Sequence, residues 1–325
     1  MGSRIVSTGR ATPRTRLSND DLAQHMDTSD EWVRSRTGIT ERYIMMSGES
    51  LVEMAADASR IALNRAGIKP ADIEAIVVGT ISSDYGFPSF ACQLQHQLGM
   101  DTIPAFDVAA ACSGFVYAVS VADASMRAGD WSRILVIGAD ALSTMVDWND
   151  RATAVLFGDG AGAAVMVHEA SPRGVLGSLL RSSGKYWDLL AVRNRGVQTT
   201  MDAEARRLSD DAIKMKGPEL FKLAVKSMAD VTQQVAERAG VKLDEIELIV
   251  PHQANLRIIN AVAQRLGLPA EKVFTNVDRY GNTSAASVPI ALDEALESNR
   301  IHDSDLIMLN ACGGGLTWGA NLVRW

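Results

Sequence analysis

Arg65-Ala66-Gly67-Ile68-Lys69-Pro70-Ala71-Asp72-Ile73-Glu74-Ala75-Ile76-Val77-Val78 and Arg238-Ala239-Gly240-Val241-Lys242-Leu243-Asp244-Glu245-Ile246-Glu247-Leu248-Ile249-Val250-Pro251 are two copies of one pattern. Each reads as a helix end, a glycine stop, a short loop and then a buried strand. Two further pairs follow in the same order. Gln97-Leu98-Gly99-Met100 matches Arg265-Leu266-Gly267-Leu268, and a strand is expected after each, over 105–108 and 272–276. Residues 133–138 match 305–310. Two copies of a long unit mean an internal duplication, whereas a solenoid needs many. Within each copy, strands alternate with helical stretches and are unbroken apolar runs, as strands covered on both faces are. The expected fold is therefore α/β, in two duplicated halves, 1–170 and 171–325.

The bulk numbers set limits around that fold. A chain of 325 residues can bury a large core, and 47% hydrophobic with 22% charged residues is ordinary for a globular protein. A net charge of -7 argues against nucleic acid or an anionic membrane as the main partner. No apolar run approaches the ~18 residues that span a bilayer. The start, Met1-Gly2-Ser3-Arg4-Ile5-Val6, has no signal-peptide core, and Val6 breaks the myristoylation pattern. Three unclustered cysteines suit neither a disulfide framework nor a zinc site. A metal-free protein of the reducing cytoplasm is expected. Capping boxes are expected at Thr28 with Glu31 and at Ser50 with Glu53. Residues 192–213, with Arg193, Arg195, Arg206, Arg207 and Asp210, read as an exposed polar excursion.

Three separated segments carry the chemistry. Asp107-Val108-Ala109-Ala110-Ala111-Cys112-Ser113-Gly114-Phe115 places a thiol between a strand and the apolar run 112–127. That run is apolar on nearly every side, so a central buried helix is expected. The unscreened N–H groups at its start favour a thiolate and predict a lowered Cys112 pKa. Pro251-His252-Gln253-Ala254-Asn255 and Gly281-Asn282-Thr283-Ser284-Ala285 place an imidazole and a carboxamide just past strands of the second half. Strand ends of that kind are where α/β sheets put ligands and catalysis. A thiol, an imidazole and an amide together suit a covalent thioester enzyme that stabilises an enolate or oxyanion. Taken singly, a buried cysteine is more often inert, and Cys92 and Cys312 read as core residues. His25, His96, His168 and His302 read as structural. The run from Phe157 through Gly158-Asp159-Gly160-Ala161-Gly162-Ala163 matches neither a P-loop nor a dinucleotide fingerprint. With Gly313-Gly314-Gly315 it reads as tight turns against the site, and the Gly314 N–H is free to serve an oxyanion.

Taken together, the chain resembles the β-ketoacyl-acyl-carrier-protein synthase III family, whose fold is thiolase-like: duplicated α/β halves packed as layered αβαβα. The resemblance runs over essentially the whole chain. Asp27-Thr28-Ser29-Asp30-Glu31-Trp32, Arg36-Thr37-Gly38-Ile39, the Cys112 segment, Asp150-Arg151, the Phe157 run, the His252 and Asn282 segments and the triple glycine fall in family order. It implies that Cys112 takes an acyl group from acyl-CoA, and that malonyl-acyl carrier protein then loses CO2 while His252 and Asn282 hold the carbanion's oxygen. The N–H groups of Cys112 and Gly314 form the implied oxyanion hole. Thr28, Trp32, Arg36, Arg151 and Asn255 match the CoA side, with Trp32 and Arg151 around the adenine, Arg36 at the diphosphate and Asn255 as an orienter. Lys222 and Arg257 match the carrier-protein docking patch. Phe157 matches the acyl pocket, as does Phe87, which is implied to reach into a partner subunit and so implies a homodimer. No cofactor is implied, acyl-CoA being a substrate. On structural grounds alone, Trp32 is equally a half-buried helix residue, and Arg36 and Arg151 equally solvated surface.

Departures and rivals are legible too. Cys312 stands where the family usually has Phe, and the 192–213 excursion, long and charged, is expected near the substrate mouth; both bear on acyl preference. A thiolase needs a second Cys where Ala311 stands and a His where Asn282 stands, and elongating condensing enzymes also need that His. A specialised ketosynthase III-like enzyme, using the same triad on another acceptor, is the alternative. A silent CoA-binding scaffold is disfavoured by the intact triad.

Overall fold

The two copies of the repeat build two sheets of matching order. The computed structural model describes residues 2–193 and 212–325; most of the 192–213 excursion, with Arg195, Arg206, Arg207 and Asp210, lies outside the described residues. The first sheet runs Gly2–Ala11, Asp159–Glu169, Arg133–Ala141, Ala75–Gly79, Ala105–Val108. The second runs Gly174–Ser182, Thr317–Arg324, Leu306–Gly313, Leu248–Pro251. In both, two antiparallel pairings are followed by a parallel one. Gly67 and Gly240 hold matching positive φ of 66° and 68° at the two helix ends, a conformation that side chains with a Cβ resist. Three-residue 3-10 turns, Pro70–Asp72 and Leu243–Glu245, then lead into the strands.

Helices cover both sheets and fill the space between them. Leu51–Ala66 and Phe90–Gln97 lie outside the first sheet, and Gly217–Arg238 with Leu256–Leu266 outside the second. Gly114–Ala128 and Ser287–Glu297 run between the sheets as the repeat-related central pair. Phe115, Val119 and Met126 are fully buried there, against Val77 and Val136 of one sheet and Val250 and Leu309 of the other. The result is five layers, α-β-α-β-α. Among the described residues no helix is long and apolar enough to cross a membrane.

Several expectations need correction. Residues 272–276 form no strand: Ala270–Lys272 is a 3-10 turn, and only Val273 bridges Ile249. The buried Gln253 side chain takes the N–H groups of Asn276 and Val277 at 2.9 and 3.2 Å, which withdraws that backbone from a ladder. Asn282 accordingly follows a short helix, Val277–Tyr280. Ser29, not Thr28, caps the Asp30–Thr37 helix by accepting the Trp32 N–H, so Glu31 falls too early to close a box. Ser50 precedes Leu51–Ala66 without a side-chain cap bond; the reciprocal box forms at Ser18 and Asp21. Cys92 is exposed, because it sits on the outward side of Phe90–Gln97. His25, His96 and His302 are exposed as well. Asp159–Ala163 is strand rather than turn, paired along Arg133–Ala141 and, from Ala161 on, along Gly2–Ala11 as well.

Candidate active site

Cys112 lies in the 3-10 turn Ala111–Ser113, just before the central helix begins at Gly114. Its residue is 4% exposed and opens on a cavity of about 70 Å³. Ile81, Leu142, Met145, Phe157 and Leu190 give that cavity apolar walls, and Ser284 and Gly314 join its lining. Val192 and Ile213, the two ends of the charged excursion, line it also, so the excursion is rooted at the cavity. Gly313 brings the second sheet onto Cys112: a Cβ there would stand 2.6 Å from the Cys112 backbone nitrogen. Cys312, one residue before, is buried among Ala224, Met228, Val262 and Leu316.

The segment 282–287 ties the three candidate groups, Cys112, His252 and Asn282, together. Asn282 is locked by its backbone, donating to Leu156 O at 2.8 Å and accepting from Gly158 N at 3.1 Å. Its Oδ1 accepts the Ser284 N–H at 2.9 Å, which leaves the amide nitrogen to donate elsewhere. The Ser284 hydroxyl lies 3.5 Å from Cys112 Sγ. Ser287 Oγ lies 2.6 Å from His252 Nδ1 and accepts the Gln253 N–H at 3.3 Å. Ser287 has one hydrogen to give, and in the tautomer where it goes to Nδ1 the ring proton lies on Nε2 and His252 is a donor. Beneath this segment the fully buried Arg42 packs its Cβ against Gly158 and Gly281 and donates to Leu17 O, Asn19 Oδ1 and Val155 O.

Two backbone outliers flank the sulfur. Ala111 (φ 46°) and Ser284 (φ 52°) each open the 3-10 turn that precedes a central helix, so they are repeat mates. A non-glycine residue held there costs about 1–3 kcal/mol, which the surrounding packing must offset. The duplicated architecture thus presses two strained turns against each other at the Cys112 sulfur.

The electrostatics correct the expected thiolate. Burial pushes the Cys112 thiol up to about 11; the Ser284 hydrogen bond opposes the rise and the charge of Asp140 adds to it. The sequence reveals the helix start but not the loss of water, and desolvation wins. Burial likewise lowers the His252 imidazole to about 3, so the ring is neutral. Sequence reasoning missed Ser284, Ser287, Arg42 and Asp140. Only Asp140 left a signal, as the one carboxylate within the apolar strand Arg133–Ala141.

The remaining candidates are exposed or half-buried, and none of them lines the cavity. The guanidinium carbons of Arg36 and Arg151 stand 4.4 and 4.9 Å from the Trp32 ring centroid. Arg151 also donates to Asp27. The Thr28 hydroxyl is buried without a partner. Asn255 caps Leu256–Leu266 and holds the Arg36 carbonyl at 3.1 Å. Lys222 and Arg257 are exposed on two packed helices. Phe87 is 89% exposed and outside the cavity. Among the described residues no group of His, Cys, Asp or Glu could hold a metal ion.

Known proteins match this arrangement along its whole length. The family description "3-Oxoacyl-[acyl-carrier-protein (ACP)] synthase III" matches residues 106–184, and its C-terminal counterpart matches 236–325. A β-ketoacyl-[acyl-carrier-protein] synthase III of Aquifex aeolicus is 46% identical over 325 residues, covering 100% of both chains. The chain belongs to this family. A Sphingopyxis alaskensis member is 50% identical over 322 residues, 98% of each chain. The solved synthase III structure from Aquifex aeolicus superposes with a TM-score of 0.93 over 100% of both chains, at 46% identity. A priming β-ketosynthase of a polyketide biosynthetic pathway superposes at 0.92, with 32% identity over 99% of this chain and 96% of that one. The layered, duplicated fold of this synthase III family member is therefore thiolase-like, and the chain is an acyltransferase of the condensing type.

Proposed function

We propose that this synthase III primes fatty acid synthesis by condensing an acyl-CoA primer with malonyl-acyl carrier protein through an acyl-Cys112 intermediate. The observation that carries this is the 282–287 segment, which bears Asn282 and touches both the Cys112 sulfur and the His252 ring. Cys112 attacks the thioester, the backbone N–H groups of Cys112 and Gly314 receive the oxyanion, and CoA leaves. Malonyl-acyl carrier protein then loses CO2 while His252 Nε2–H and the Asn282 amide donate to the enolate oxygen. The carbanion attacks acyl-Cys112 and the β-ketoacyl product departs. Both donors are neutral, so neither is titrated away as the negative charge forms. No step calls for a metal or cofactor.

Substrate and partner contacts follow the same logic. Thr28 offers a buried hydroxyl with no partner of its own, and Arg36 a guanidinium suited to a diphosphate. An adenine between Trp32 and Arg151 needs roughly two stacking distances of 3.5–4.0 Å each, so Arg151 must swing off the ring to admit it. Lys222 and Arg257 suit an acidic carrier protein. Phe157 walls the acyl cavity, and Phe87 suits a homodimer contact. The halves 1–170 and 171–325 each carry one of the two large sheets, and a cytoplasmic setting fits the free thiols.

Mass spectrometry after incubation with a panel of acyl-CoAs tests the mechanism. Wild type should gain one acyl mass and Cys112→Ala none; an unmodified wild type across the panel would count against it. Asn282→Ala should still acylate yet lose condensation by about 10²–10³-fold, as for a lost oxyanion donor. Normal condensation in that variant removes Asn282 from the mechanism.

A further inference from the structure

Ser284 places a hydroxyl on the Cys112 sulfur, and the chemistry proposed above gives it no task. That hydroxyl donates to Cys112 Sγ at 3.5 Å, within reach of the large sulfur atom. The residue is fully buried and joins the lining of the cavity on which the sulfur opens. Its aim is fixed by the backbone around it. The Ser284 N–H donates to Asn282 Oδ1 at 2.9 Å, the Ala285 N–H donates to Asp140 Oδ2 at 3.1 Å, and the Ser284 carbonyl accepts the Ser287 N–H. These bonds hold Ser284 at φ 52°, a left-handed conformation that a non-glycine residue keeps only under constraint.

We propose that Ser284 is a catalytic residue, the hydrogen-bond donor that stabilises the Cys112 thiolate in both halves of the reaction. A thiol sulfur is a weak acceptor, whereas an ionised acceptor takes a bond roughly twice as strong as a neutral one. The Ser284 bond therefore favours the charged form of the sulfur. In acyl transfer the thiol gives its proton to solvent and the thiolate attacks the thioester carbonyl. The new S–C bond forms, the bond from that carbon to the CoA sulfur breaks, and CoA leaves as a thiolate that takes a proton from solvent. In condensation the carbanion attacks the same carbonyl carbon and the bond to Cys112 breaks. The electron pair then returns to a sulfur that the Ser284 hydroxyl already faces.

Burial is why such a donor matters. Burial, with the charge of Asp140 adding to it, pushes the Cys112 thiol up to about 11, and of the hydrogen bonds that oppose the rise the one from Ser284 is the larger. His252 is neutral and brings no counter-charge. Stabilisation of the thiolate thus falls to fixed dipoles rather than to a cation, and Ser284 holds one of them against the sulfur itself.

This role rests on the acyl transfer proposed above, so its test has two arms: acylation by acetyl-CoA, and alkylation by iodoacetamide, which needs no acyl substrate. Cys92 is exposed and reacts as well, so adducts are counted by mass on the peptide that carries Cys112. Losing a hydrogen bond to a charged group raises the thiol pKa by about one to two. A more basic thiolate is also a better nucleophile, which offsets about half of that change. Ser284→Gly and Ser284→Ala should therefore alkylate about 3–20-fold more slowly than wild type at any one pH between about 7 and 9, with a matching loss in acylation. A loosened fold would expose this buried sulfur and speed alkylation, so a merely structural serine predicts the opposite sign. Ser284→Gly takes φ 52° without strain and decides if Ser284→Ala does not fold. Ser284→Gly alkylating at or above the wild-type rate would overturn the assignment. Wild type that alkylates but never acylates would instead overturn the acyl-transfer reading, with the donor still decided by alkylation.

Discussion

His252 is carried into the folded protein as a neutral ring, and that has a consequence for stability. In the unfolded chain it binds a proton below its ordinary value of 6.5, whereas in the fold burial delays protonation to about pH 3. Between those values the unfolded state holds more protons, so stability falls as the pH falls, by about 1.4 kcal/mol per unit. His252→Asn removes the titration and keeps a polar side chain near Ser287. The stability advantage of wild type over this variant, from urea midpoints at about pH 7 and about pH 4.5, should therefore shrink by roughly 3 kcal/mol on acidification. An unchanged difference would mean that the ring titrates as it does in water. Residue identity made the candidate triad legible in the sequence, since a thiol or an imidazole past a strand, and an amide after a glycine, each suggest a chemistry. Ser284 and Ser287 were not legible, because hydroxyls acquire meaning only from the groups they touch.

The central helix Ser287–Glu297 shows how an element positions those residues. Its N-terminal Ser287 holds His252, and its far end is anchored by Asp293, whose side chain is 1% exposed. Asp293 bonds Thr8 Oγ1 at 2.6 Å, Arg65 at 2.5 Å and Arg10, joining the helix to the strand Gly2–Ala11 and the helix Leu51–Ala66. Glu297 pairs with the same two arginines but is 44% exposed. Breaking a buried ion pair from one side costs about 3 kcal/mol or more, whereas an exposed pair contributes under about 1 kcal/mol. Asp293→Asn should thus lower the urea midpoint several times further than Glu297→Gln; equal shifts would show that Asp293 is solvated in solution. This clamp joins residues more than 200 positions apart, so no local pattern announces it. The strands and helix stops were legible because 75–78 and 248–251 are apolar runs behind matched glycines. The missing strand at 272–276 was not, since it was removed by a distant glutamine side chain that takes its N–H groups.

At the scale of the whole molecule, the first sheet leaves one long side open. Ala105–Val108 is its last strand and pairs only with Ala75–Gly79 among the described residues, so its outer N–H and C=O groups face away from the sheet. The same side carries apolar surface that a monomer has no reason to expose: Phe87 at 89% and Tyr85 at 60%. This stretch begins at Ile81, which already lines the cavity at Cys112. A second copy laid against that side would cover the open edge and the aromatic residues, and would close the cavity by the same contact. The homodimer proposed above is therefore expected to be the active unit. Sedimentation should show wild type as a dimer at micromolar concentration, and Phe87→Asp, which sets a charge in the contact, should dissociate it. Acylation by the variant should then rise with protein concentration as dimers re-form, whereas a Phe87→Asp monomer that acylates Cys112 at the full wild-type rate would show that each chain completes its own site.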